Sequence, residues 1–89
     1  MPRISFFYGI AIRMYFNEAQ HAGRPHFHAI YGEHEASFAI DDVSVLAGQI
    51  PPRAAQMATE WAVAHREELL ANWDKARRAE PLALIAPLD

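Results

Sequence analysis

The sequence predicts an α+β domain in which an antiparallel meander of four to five strands precedes one long C-terminal helix packed on one face. Hydrophobic and polar residues alternate over much of residues 4–46, which is the period of strands, whereas the spacing becomes helical from Pro52 onward. The strand-like runs are joined by short links, which favour antiparallel neighbours in chain order. We therefore expect a single domain over residues 1–89, with a sheet at 1–50, a helix at 51–79 and an apolar tail at 80–89.

The alternation also assigns side chains to the two faces of the expected sheet. Turn-forming residues divide the first half of the chain into predicted strands at 4–8, 10–16, 26–31, 35–40 and 43–46. The face that packs on the helix is predicted to carry Ile10, Ile12, Met14, Phe16, Ala36, Phe38 and Ile40. If Phe27, Ala29 and Tyr31 join this face, His26 and His28 must share the other, because successive strand residues point to opposite sides.

The predicted helix is too long for the predicted sheet. A helix over residues 52–78 would be about 40 Å long, whereas a strand of six residues spans roughly 20 Å. It must therefore bend, break, overhang the sheet or meet a partner subunit, and the apolar tail must pack back against something. A homodimer is expected for this reason. The apolar stripe of the helix consists of Ala54, Ala58, Trp61, Ala62, His65, Leu69 and Trp73.

Composition and charge restrict the classes of function. The chain has no cysteine, which excludes disulfides, zinc–thiolate sites and thiol catalysis. No apolar run approaches the roughly 18 residues of a membrane span, and the N-terminus lacks the pattern of a signal peptide, so we expect a cytoplasmic protein that does not contact membranes. The net charge of −3 argues against tight binding of nucleic acid through bulk electrostatics. No cofactor is expected.

The candidate site is His26 and His28, with Arg13 and Tyr15 as expected neighbours on the outer face of the sheet. Two imidazoles on one face can act as general acid and general base in RNA cleavage, with Arg13 stabilising the charged phosphorane. Alternatively, the histidines form a recognition surface without turnover, on which Tyr15 and Phe27 stack and the histidines donate hydrogen bonds. The histidines are also compatible with a purely structural role.

A divalent metal is the third chemistry that remains open. His26 and His28 would supply two ligands, and a third would come from His21, Glu33, His34 or Glu35. His65 is kept apart from the site because it falls on the apolar stripe of the helix. We expect it to be a buried neutral histidine that is hydrogen-bonded to a backbone carbonyl.

Several motifs across nearly the whole chain resemble a family of short bacterial proteins, domain of unknown function 4160. The motifs in the first half are Tyr8-Gly9-Ile10, Arg13-Met14-Tyr15-Phe16-Asn17-Glu18, Pro25-His26-Phe27-His28-Ala29 and Tyr31-Gly32-Glu33. Those in the second half are Ile50-Pro51, Arg53-Ala54, Glu60-Trp61, His65, Glu68-Leu69 and Asn72-Trp73. The link that precedes the histidines is longer than the family's usual acid-His-x-Pro-Pro segment. The resemblance implies one half of a two-gene operon of the toxin–antitoxin kind, which binds or cleaves RNA and has a small partner protein encoded by the adjacent gene. The alternative is a non-catalytic module that binds a metal or a protein partner.

Overall fold

A five-stranded antiparallel sheet precedes two helices in the part of the chain that the structure, a computed structural model, describes, residues 3–15 and 24–89. The strands follow one another across the sheet in chain order, which confirms the predicted meander. Their bounds are β1 Arg3–Phe7, β2 Ile10–Arg13, β3 His26–Tyr31, β4 His34–Ala39 and β5 Val45–Gln49, followed by α1 Pro52–Ala64 and α2 Arg66–Arg77.

The inner face of the sheet carries the core, as the alternation predicts. The side chains of Phe27 and Phe38 are opposite each other on β3 and β4, and their rings stack with centroids 5.4 Å apart. Trp61 of α1 meets the edge of Phe27 at 5.8 Å and lies 5.5 Å from Phe7. The other predicted members of this face are buried, namely Ile10, Ile12, Met14, Ala29, Ala36 and Ile40, whereas Tyr31 is partly exposed and Phe16 lies outside the described residues.

The expectation of one long helix is wrong. The helical segment breaks at His65, whose backbone angles are φ −120° and ψ 27°, so that α1 ends at Ala64 and α2 begins at Arg66. An unbroken helix over residues 52–78 would measure about 40 Å. The largest extent of the molecule is only 33 Å. The break allows Leu69 and Trp73 in α2 to remain buried in the same core as α1.

The apolar tail packs on this same chain. The backbone N–H of Ile85 donates to the carbonyl of Ile4 at 2.8 Å, along the outer edge of β1. The indole N–H of Trp61 donates to the carbonyl of Ala86 at 2.8 Å. The tail therefore covers a sheet edge and part of the core, and it no longer supports the homodimer, which stays a prediction.

The side chain of Asn72 connects the tail to α2 through two hydrogen bonds. Its amide donates to the carbonyl of Ala83 and accepts from the N–H of Ala83, both at 2.9 Å, and the side chain is 1% exposed. We expect Asn72→Ala to lower the free energy of unfolding by about 2–4 kcal/mol, because two hydrogen bonds are lost and polar groups of Ala83 are left without partners. Urea unfolding followed by circular dichroism measures this change.

The matched control is Ala71→Ser at the exposed neighbouring position, which we expect to change stability by less than about 0.5 kcal/mol. Equal urea midpoints for the two variants would contradict the anchoring role of Asn72.

Candidate functional site

The structure brings His26, His28, Arg13 and Tyr15 together on the outer face of the sheet. Because Phe27 points into the core, its two neighbours on β3 point the other way. Arg13 of β2 is the direct cross-strand partner of His28. The ring of Tyr15, just beyond β2, meets the ring of His28 with centroids 4.6 Å apart. The arrangement agrees with the sequence analysis, while the chemical roles of these residues stay predictions.

Four aromatic rings form a continuous row, which we call the aromatic row: Tyr15, His28, His26 and Trp73. The centroid of His26 lies 5.3 Å from that of His28 and 5.0 Å from that of Trp73. Trp73 belongs to α2, so the helical half of the chain contributes to this side of the sheet. Consequently His26 and His28 are only 5% and 7% exposed. The expectation that they form a surface feature is wrong.

Both histidines use the same ring nitrogen for hydrogen bonds within the fold. Nδ1 of His26 lies 3.0 Å from the carbonyl oxygen of Arg24, and this carbonyl can only accept, so Nδ1 carries the proton. Nδ1 of His28 lies 3.0 Å from Oε2 of Glu35, which accepts when ionised, and 3.3 Å from the hydroxyl of Ser37. These contacts fix the orientation of both rings, as expected for structural histidines.

Of the two residues expected to stack on a base, Phe27 is not available. Phe27 is fully buried beneath the sheet, so it cannot meet a base. Tyr15 is half-buried and is the member of the expected pair that a ligand can reach.

An additional pair of residues, Arg3 and Phe6, extends the outer face toward β1. Arg3 is the cross-strand partner of Arg13, which in turn pairs with His28, so three residues that can carry positive charge follow one line across the sheet. The guanidinium of Arg3 lies 4.9 Å from the centroid of Phe6, and Phe6 is 50% exposed. Like charges on directly opposite strand residues destabilise a sheet. We call Arg3, Phe6, Arg13 and Tyr15 the cationic patch.

Two of the expected metal ligands, His28 and Glu35, are in contact. Glu33 lies in the turn after β3, and His34 shares a face with Tyr31 rather than with His28. Among residues 3–15 and 24–89, no group of three or more His, Cys, Asp or Glu side chains could hold a metal ion. His21, the other expected ligand, lies outside the described residues.

His65 differs from the buried histidine that the stripe predicts. It is partly exposed, because it occupies the break between α1 and α2. Its Nδ1 bonds to the carboxylate of Glu68 at 2.5 Å rather than to a backbone carbonyl, and its ring lies 5.5 Å from that of Trp61. It stays apart from the aromatic row, as expected.

An ion-pair cluster holds the start of β3 against the turn after β4. Arg24 contacts the carboxylates of Asp41 at 3.0 Å and Asp42 at 3.1 Å. The hydrogen bond to Asp41 raises the pKa of Arg24 above its ordinary value, and the hydroxyl of Ser44 lowers the pKa of Asp42. The backbone carbonyl of the same Arg24 accepts the hydrogen bond from Nδ1 of His26.

Comparison with models of protein families gives a match over most of the chain. The model of a family described as "Domain of unknown function (DUF4160)" matches residues 9–74. No curated protein and no solved structure matches the chain. Within the described residues, neither helix is long and apolar enough to cross a membrane.

Proposed function

We propose that this chain, which belongs to the DUF4160 family, is the component of a toxin–antitoxin-like two-gene module that binds single-stranded RNA without cleaving it. The proposal places RNA on the cationic patch. The second member of the module is the small partner protein that the family resemblance implies. The histidines support the shape of the RNA-binding surface and do not react.

The observation that carries the proposal is the like-charged pair of Arg3 and Arg13 beside an exposed aromatic ring. Arg3 and Arg13 occupy directly opposite positions of β1 and β2 on one face, and no carboxylate of the described residues forms an ion pair with Arg3. A phosphate that contacts Arg3 would accept charge-assisted hydrogen bonds from its guanidinium group. Phe6 and Tyr15 flank the two arginines and offer ring faces on which unpaired bases can stack. Cations and aromatic rings on an open sheet are typical of surfaces that bind single-stranded RNA.

Binding is favoured over cleavage because of the burial of the histidines. General acid–base catalysis requires a side chain within hydrogen-bond reach of the reacting atom. His26 and His28 are nearly inaccessible beneath Tyr15 and Trp73. Their Nδ1 atoms already bond to Arg24 and Glu35. The histidine pair therefore supports the shape of the patch.

The test is fluorescence anisotropy with a labelled single-stranded RNA of about 12 nucleotides. We expect Phe6→Ala to weaken binding by about 5- to 150-fold, the equivalent of losing about 1–3 kcal/mol of stacking on one base. If Arg3 and Arg13 each neutralise one phosphate, the logarithm of affinity should fall with the logarithm of salt concentration with a slope of about −1.4. Arg13→Gln should halve that slope.

Val63→Ala is the control, because Val63 is equally exposed but lies on α1. Equal RNA affinity of the Phe6 and Val63 variants would rule out the patch. The same samples are run on denaturing gels, where we expect intact RNA. Cleavage by the wild type that His26→Ala abolishes would instead support a ribonuclease.

A further inference from the structure

A second surface with exposed aromatic rings lies at the start of α1, and we call it the tyrosine groove. It has a volume of about 470 Å³, and its walls include Tyr8, Tyr31, Pro51, Arg53, Met57 and Leu88. Tyr8 belongs to the turn between β1 and β2, and Tyr31 ends β3. None of these residues belongs to the cationic patch or the aromatic row. The groove is within the size range of pockets that bind small ligands or short peptide segments.

The two tyrosines are held in exposed positions by the backbone. Tyr8 has φ +49°, which is the left-handed region where tyrosine is strained, and its side chain is 59% exposed. Asn, Asp or Gly is the usual residue at this position of a two-residue hairpin turn. Gly9, with φ +82°, completes the turn, and a Cβ atom there would lie 3.2 Å from Cε1 of Tyr31. Tyr8 thus presents an exposed ring at a turn position whose backbone conformation favours Asn, Asp or Gly.

Three hydrogen-bonding groups of the groove remain available to a ligand. Within the described part of the chain, the hydroxyls of Tyr8 and Tyr31 and the guanidinium of Arg53 form no hydrogen bond or ion pair. Pro51, Met57 and Leu88 supply apolar surface to the same groove. The groove therefore combines flat rings, apolar side chains and hydrogen-bond donors that a carbonyl could accept from.

The charge of the groove selects among ligands. Glu60 and Asp89 also line it, so two carboxylates oppose the single guanidinium of Arg53. This balance disfavours a polyanion such as RNA and favours a ligand that carries a cation. A polyproline II segment has no internal hydrogen bonds, and its exposed carbonyls accept from tyrosine hydroxyls while its proline rings pack on aromatic faces.

From these features we infer that the tyrosine groove binds an extended, proline-containing segment of a partner protein, with an adjacent Arg or Lys placed against Glu60 and Asp89. The inference goes beyond RNA binding, since it assigns a separate surface to a protein ligand. It also gives the chain two independent faces, one for nucleic acid and one for a partner.

The test uses a fluorescein-labelled decapeptide that contains a Pro-x-x-Pro unit followed by Arg, titrated with the full chain. We expect saturable binding that Tyr8→Asn weakens at least tenfold. Asn suits the left-handed turn position, so this variant should unfold at the same or a higher temperature than the wild type, and loss of binding cannot be attributed to misfolding. Tyr31→Phe, which keeps the ring and removes the hydroxyl, should weaken binding less than Tyr8→Asn.

The charge is tested by exchanging the arginine of the peptide for alanine. Glu60→Gln should weaken binding of the arginine peptide and leave that of the alanine peptide unchanged. Phe6→Ala serves as the control from the cationic patch and should bind the peptide as the wild type does. Equal peptide affinity of wild type and Tyr8→Asn would overturn the inference. Loss of RNA binding in Tyr8→Asn would also overturn it and would make the groove a nucleic-acid site.

Discussion

Replacing Trp61 with alanine is expected to lower the free energy of unfolding by about 3–5 kcal/mol, the range for truncating a large buried aromatic side chain. Trp61 is fully buried and lies against Phe7 and Phe27, where β1 and β3 meet α1. Its indole N–H also holds the tail through the carbonyl of Ala86. One side chain thus joins sheet, helix and tail, and a domain of this size has only about 5–15 kcal/mol of stability in total.

The matched variant is Trp61→Phe, which keeps an aromatic ring but removes the N–H. We expect Trp61→Phe to lower the free energy of unfolding by less than Trp61→Ala does. Limited proteolysis should show earlier cleavage of the tail in both variants than in the wild type. Urea unfolding at 25 °C, followed by far-UV circular dichroism, measures the difference. A cost for Trp61→Ala below about 1 kcal/mol would mean that the indole does not occupy the centre of the core.

The second large effect is expected at Gly48 in β5, with Gly32 as its internal control. Both glycines have positive φ, +70° and +59° respectively. A Cβ atom at Gly48 would lie 2.2 Å from the backbone oxygen of Glu35, whereas a Cβ atom at Gly32 would meet nothing within 4 Å. Gly32→Ala should therefore cost only about 1–2 kcal/mol for the left-handed backbone. Gly48→Ala should cost about 2–5 kcal/mol, because β4 and β5 must also move apart.

Thermal unfolding of the two variants distinguishes these contributions. In a domain of this size, each kcal/mol of lost stability lowers the melting temperature by about 4–8 °C. The Gly48→Ala variant should therefore melt clearly below the Gly32→Ala variant. Equal melting temperatures would show that the close approach of β5 to Glu35 is absent in solution. The comparison isolates the steric effect, since the conformational penalty is common to both positions.

The burial of the histidines could not be predicted from the alternation of β3. Period two assigns Phe27 to one side and its neighbours to the other in any sheet, and the structure agrees. The same period gives no information about what lies against the second side. Trp73 lies on the apolar stripe of the helical segment and packs in the core, and its ring also covers His26. Which surface a helical residue reaches depends on where the helix turns.

Arg3 and Phe6, the two residues of the cationic patch that lie on β1, could not be assigned to the site from the sequence for a different reason. β1 has an irregularity between Arg3 and Ser5, so that Arg3 and Phe6 lie on the same face although three positions separate them. Strict alternation places residues an odd number apart on opposite faces. A bulge inserts one extra residue into a strand and thereby reverses this assignment for the residues on its two sides. Arg3 and Phe6 could therefore be assigned to the same face only once the strand register was known.

Local patterns in the sequence predicted the order of the strands and the face to which each residue of β2 and β4 belongs. They predicted the cluster of Arg13, Tyr15, His26 and His28 on the condition that Phe27 points into the core, which the structure shows. These follow from local periodicity and short links, which act over a few residues. Tertiary structure alone decided the helix break at His65, the docking of the tail on Ile4 and the burial of the histidines. Each depends on fitting elements of unequal length around one core, and no local pattern contains that information. The candidate site thus changed from an exposed histidine pair to a buried aromatic row beside an open cationic patch.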